Sequence, residues 1–214
     1  RAAAAAGGQQ HDDHDAPHES NLPLATIGWL LLYTGWNGFN AGSAGGAGPV
    51  AVVSVVSTQA AACTSAVVWF VASWAWHKRP TVPALLNGAV SGLAGITPAS
   101  GYVNAQAAMI VGVVLGVASF CAALLLHRVR RHVDDALEVS AVHGLTGLIG
   151  ALAIGVASSS ALNPRAADGL AYGGGFALLG AQAATCCAVI AWTGVVMTLV
   201  MLCVRFVCFR STAR

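Results

Sequence analysis

The sequence predicts an all-α membrane protein with six transmembrane helices, and three observations predict it. First, 57% of its 214 residues are hydrophobic and only 8% are charged, with a mean hydropathy of +0.71. A soluble domain of this size carries about 25% charged residues. Second, the apolar residues gather into six stretches: 22–43, 50–76, 82–99, 103–126, 136–162 and 175–209. A helix needs about 20 such residues to cross a bilayer core, and all six qualify, the third as the shortest. Third, six crossings place Arg1, Lys78, Arg79, Arg128, Arg130, Arg131, Arg205, Arg210 and Arg214 on one side and Arg165 alone on the other. That asymmetry predicts a cytoplasmic basic face and two cytoplasmic chain ends. The connections on the other side, 45–49, 101–104 and 163–169, are short and contain Gly, Asn or Pro, as turns do.

The first stretch ends in Gly35-Trp36-Asn37-Gly38-Phe39-Asn40-Ala41-Gly42-Ser43-Ala44. Trp36 and Phe39 share a helix face at i, i+3, and Ser43 follows Phe39 at i+4. Aromatic faces beside a hydroxyl make a seat for a small cation; the alternative is an interfacial aromatic belt. The second stretch closes on Lys78-Arg79. The third carries Gly88, Gly92 and Gly95 before Thr97-Pro98, and the fourth carries Gly112-x-x-x-Gly116. These spacings predict close helix contacts in a compact bundle. The basic run 127–132 after the fourth stretch sets topology, with anionic lipid contact as a second role.

The fifth stretch contains His143, the one side chain within 139–162 that charges readily near neutral pH. An imidazole inside the membrane is costly unless it meets a cavity or a partner, so His143 marks a functional site. The alternative is a packing histidine hydrogen-bonded to a neighbouring helix. Neutral imidazole both donates and accepts, so it can handle a small polar solute or relay a proton. Gly144, Gly147 and Gly150 predict a Gly-rich face on or beside it. Asp134, Asp135 and Glu138 open this helix, where acidic groups suit the helix dipole; Glu138 is also placed to influence the mouth of a path passing His143. The sixth stretch, roughly 35 residues or about 50 Å long, exceeds a bilayer core of about 30 Å. It lacks a polar stripe and is expected to face lipid.

The six cysteines fall in or at the ends of apolar stretches without metal-site spacing, and read as small packing residues rather than disulfides. The segment 11–19, with His11, His14 and His18 among acids, reads as a solvated loop rather than a metal site. No cofactor, no metal, no catalytic residue and no nucleic-acid partner are expected. The first twenty residues lack the apolar core of a targeting sequence. The start at Arg1 predicts a piece of a longer protein.

Four segments resemble the Amt/Mep ammonium transporters. The 35–44 segment resembles their GWFGFNAGSA. Residues 88–99, GAVSGLAGITPA, resemble GAIAGLVxITPA. Asp134-Asp135-Ala136-Leu137-Glu138 followed by Val142-His143-Gly144 resembles DDxxD…VHG, and Tyr172-Gly173-Gly174-Gly175-Phe176 resembles the entry to their last helix. They occur in family order. The resemblance implies an eleven-span fold of two inverted five-helix repeats plus an oblique last helix, assembled as a homotrimer. This chain corresponds to the second repeat and the long last helix. It further implies transport of ammonium or ammonia through a hydrophobic pore. Ser43 is then the recruiting hydroxyl, Trp36 borders the recruitment region and Phe39 is a gating ring. His143 is one of two pore histidines, and Asp135 sits near the cytoplasmic exit. Asn37 departs from the family's usual Phe. Residues 1–21 are expected to be a polar cytoplasmic segment, 22–209 a partial transporter domain and 210–214 a short tail, in a multi-pass protein of the plasma membrane. The opposite repeat holds the remaining pore groups, so the chain alone is expected to be inactive. A non-conducting membrane sensor or assembly subunit with the same fold is the alternative.

Overall fold

The computed structural model describes residues 21–129, 135 and 137–211, leaving aside the side chains of 209–211. Among these residues the protein is all-helical: α1 (Leu22–Gly42), α2 (Pro49–His77), α3 (Val82–Ile96), α4 (Ala105–Val129), α5 (Thr146–Ala157) and α6 (Ala177–Ser211). A wider helical segment, Ser140–Leu145, leads into α5, and short tight turns follow α3 and precede α6. Asp134, the acidic and histidine-rich stretch 11–19 and the basic residues 130–132 lie outside the described residues.

Helix starts follow local chemistry. The Asn21 side chain accepts from Leu24 N–H at 3.0 Å, the Thr81 hydroxyl from Ala84 N–H at 3.3 Å, and Pro23, Pro49 and Pro83 stand in first turns. Proline suits that position because its missing N–H would have no partner there. α3 ends where Pro98 removes a donor, and Thr97 Oγ1 donates back to Leu93 O at 2.7 Å.

α2 lies at the centre, and glycines set its distances to the flanking helices. A Cβ on Gly92 would come within 2.6 Å of Ala61 O, and one on Gly112 within 2.7 Å of the same oxygen. Gly88 and Gly116 abut Trp69 and Val68, while Gly95 receives Leu115. The small-residue spacings in the sequence thus become backbone contacts of α3 and α4 with α2. Two apolar clusters fill the bundle, one around Ala61, Ile96, Val103 and Ala108, the other around Trp69, Ala84, Phe120 and Ala141. Small hydroxyls join the helices: Ser65 donates to Gly88 O at 2.7 Å, and Trp69 Nε1 donates to Ser119 Oγ at 2.8 Å. Ser119→Ala will leave that buried indole N–H without an acceptor. The expected cost is about 1–3 kcal/mol, read as a lower unfolding midpoint in detergent.

Among the described residues, five helical segments are long and apolar enough to cross a membrane: Pro49–His77, Val82–Ala99, Ala105–Val129, Ser140–Ala157 and Ala177–Cys208. The protein is a multi-pass membrane protein. The remaining predicted crossing, α1, is a helix of 21 residues and is the least apolar of the six. Its Trp29, Tyr33, Trp36, Asn37 and Asn40 carry polar atoms that need partners inside the fold. The fifth stretch also stops short of residue 162. Ser158 turns extended, its hydroxyl donates to Ala167 O at 2.9 Å, and Ser159 N–H donates to Tyr102 O at 2.9 Å. The cysteines are free, Cys186 partly buried and the other five exposed. α6 has no buried residue in its crossing window and meets α5 where Gly155 receives Leu179.

Candidate functional site

His143 sits in the wide segment Ser140–Leu145, whose turns carry an extra residue relative to an α-helix. Such bulges concentrate at functional positions because they re-aim a side chain. Beneath it, Thr146 is fully buried and its hydroxyl donates to Val142 O. Gly150 anchors the helix: a Cβ there would fall 1.6 Å from Gly95 O. Gly144 and Gly147 meet nothing within 4 Å. The expected Gly-rich face therefore divides into one close contact with α3 and one open side.

The imidazole of His143 is exposed and lies against the half-buried indole of Trp36. Their ring centroids are 6.2 Å apart and their planes differ by 15°. That spacing lies within the range of offset aromatic pairs. Trp36 is held from behind: its Nε1 donates to Thr97 Oγ1 at 2.7 Å. Residues distant in sequence thus meet in a chain Leu93–Thr97–Trp36–His143. Thr97 escaped the sequence reading, although a Thr–Pro pair closing a Gly-rich helix marks a place where a hydroxyl can leave the helix ladder.

Phe39 and Ser43 occupy a different place from Trp36. With Asn40, Thr97, Tyr102, Asn163 and Arg165 they line a recess of ≈ 620 Å³ at one end of the bundle. Phe39 is 62% exposed, and the Ser43 hydroxyl donates to Phe39 O at 2.8 Å. Asn40 is buried and donates to Thr58 Oγ1 at 2.9 Å. Asn37 faces α2: its Nδ2 donates to Tyr33 O at 2.9 Å, and its Oδ1 accepts from Gln59 Nε2 at 2.8 Å. The Tyr33 hydroxyl closes this network by donating to Gln59 Oε1. The polar side chain that replaces the family's usual aromatic is thereby satisfied inside the fold.

At the opposite end, Asp135 caps the His143 segment. Its two carboxylate oxygens accept from Val139 and Ser140 N–H, each at 2.8 Å. Desolvation is the largest single influence and acts upward on its pKa, but the hydrogen bonds from Ser140 and Val139 together outweigh it and hold the pKa below its ordinary value. A depressed folded-state pKa means the stabilisation is present above the unfolded value and is lost as pH falls through the folded one. Asp135→Ala is expected to cost about 1 kcal/mol at neutral pH. The difference from the parent protein should vanish in strongly acidic solution, as read from unfolding midpoints against pH.

A profile of the Ammonium Transporter Family matches residues 2–212. Ammonium transporter 1 of Dictyostelium discoideum is 50% identical over 185 residues, which cover 85% of this chain and 39% of that protein. Ammonium transporter Amt1 of Archaeoglobus fulgidus is 37% identical over 157 residues, 73% of this chain and 38% of that protein. Among solved structures, Mep2 of Saccharomyces cerevisiae matches with a TM-score of 0.80 at 33% identity, covering 86% of this chain and 43% of that one. A structure described as Sensor Amt Protein matches with a TM-score of 0.77 at 28% identity, covering 88% of this chain and 45% of that one. The chain spans about two fifths of the length of the curated relatives it matches, 39% and 38% for these two.

Proposed function

The chain belongs to the ammonium transporter family, and from that premise we propose that it supplies the half of an ammonium pathway that carries Trp36, Phe39, Ser43 and His143. The observation that carries the reading is the stack of Trp36 on His143. In a membrane, an exposed imidazole beside an indole face is stable only where polar solute or a partner meets it. Its capacity to accept and donate suits a species that alternates between NH4⁺ and NH3.

In this reading the Phe39–Ser43 recess is the outer mouth and Asp135 lies by the cytoplasmic exit. Both chain ends are cytoplasmic and the membrane is the plasma membrane. The full-length protein assembles as a homotrimer. Gly28, Gly35, Gly38 and Gly42 on α1, with Gly144 and Gly147 beside His143, meet nothing within 4 Å. That open, small-residue side is where the other half of the pathway is proposed to pack, since binding sites of inverted-repeat transporters lie between the halves. The chain alone is inactive in this proposal.

The test is radiolabelled methylammonium uptake in transport-deficient cells. They express the chain alone, the chain joined to the preceding part of the Dictyostelium transporter, or that part alone. Uptake from the joined protein only is the expected result. Uptake from the chain alone overturns the need for a second half, and an assembled but inert joined protein overturns the transport reading. The likeness to the Sensor Amt Protein structure favours one second reading, a membrane sensor. It predicts ammonium binding by the assembled protein with no uptake.

A further inference from the structure

Glu138 stands two residues before the wide segment and is tied to two other helices. Its Oε2 accepts from Asn87 Nδ2 of α3 at 2.9 Å, and its Oε1 lies 2.8 Å from Nε2 of His127 in the last turn of α4. Its backbone carbonyl accepts from Ala141 and Val142 N–H at 3.1 and 2.8 Å. The residue holds φ at +55°, in the left-handed region. A non-glycine residue stays there only where its surroundings over-determine it. The carboxylate side chain is 17% exposed and the histidine 50%. One residue thus joins the register of the His143 segment to the body of α3 and the last turn of α4.

We propose that His127 is a positioning residue for His143: through Glu138 it holds the wide segment in register, with a grip that strengthens when its ring is protonated. A neutral imidazole offers Glu138 one hydrogen bond at most, whereas the imidazolium adds a charge to it. The Asn87 bond is neutral and constant. Other groups bordering this end of the bundle are His77 at the end of α2, Arg79 after it, Arg128 on α4, and Asp135 before the segment. Guanidinium groups as a class stay charged between about pH 5 and 8, and the hydrogen bonds on Asp135 hold its carboxyl below its ordinary value. Imidazole is the side-chain type whose charge can change in that window, and the described imidazoles on or beside the segment are His77, His127 and His143. The use of this grip by a pore rests on the transport reading; the grip itself does not.

The experiment is therefore made without transport. Amide exchange of residues 139–146 is measured in the full chain in lipid nanodiscs at pH 6 and 8. It is normalised to exchange of the α2 core in the same sample. Expected is a loss of protection of about fivefold from pH 6 to 8, the upper range for a partly exposed pair. His127→Lys, which keeps a cation throughout, should be protected at both values. His127→Phe should be unprotected at both, and Glu138→Gln should lose the pH dependence. A pH dependence that survives in His127→Lys belongs to His77 or His143 and overturns the proposal, as does unchanged protection in His127→Phe. Should His127→Phe fail to fold, the parent and the lysine variant still decide it.

Discussion

Gly150→Ala will separate α5 from α3. The new methyl would stand 1.6 Å from Gly95 O and 2.8 Å from Gly95 C, both backbone atoms. A flexible side chain can rotate away from such an intrusion, but a helix backbone moves only as a body. Overpacking a core costs about 1–3 kcal/mol where side chains can adjust, and more is expected here. α5 carries the His143 segment, so the shift also pulls the imidazole from Trp36. The unfolding midpoint in detergent should fall, and protease should cut between α4 and α5. Gly147→Ala, where a Cβ meets open space, is the control and should leave both measures unchanged. Equal behaviour of the two variants would contradict the packing described for this helix.

His143→Ala should show the opposite pattern. The ring is exposed, so removing it should alter the stability of this chain by less than about 0.5 kcal/mol. In the joined transporter, methylammonium uptake should fall by about 100-fold, the scale seen when one preorganised polar group is removed from a reacting or permeating species. Assembled protein is measured in parallel, so that lost uptake is not confused with lost protein. Retained uptake in His143→Ala at normal expression would show that the imidazole does not meet the permeating species. Thr97→Val should have an intermediate effect, because Trp36 keeps its ring but loses its acceptor.

Much of this architecture is visible in the residue order. Apolar runs separated by clustered charge can only be membrane helices, since backbone polar groups must be satisfied internally in lipid. The glycines of α3 and α4 announced close contacts, and Gly88, Gly92, Gly112 and Gly116 make them with α2. The partners of single side chains were less visible. Trp36 and Phe39 share a face by spacing, yet Trp36 lies against His143 while Phe39 opens to the recess. The direction of Asn37 depended on Gln59 in another helix. The limits of α5 depended on Asp135 before it and on Tyr102 and Ala167 beyond it.

By itself, residue order determined that this chain lives in a bilayer, roughly where it crosses, and that an imidazole in the fifth crossing is out of place without a purpose. Hydropathy and charge act locally, so they can be read along a line. Tertiary structure alone decided that this imidazole meets an indole braced by Thr97, that Glu138 ties its segment to α3 and α4, and that Gly150 abuts α3 while Gly144 and Gly147 meet nothing within 4 Å. Those contacts join residues far apart in sequence, and their geometry exists only once the helices have packed.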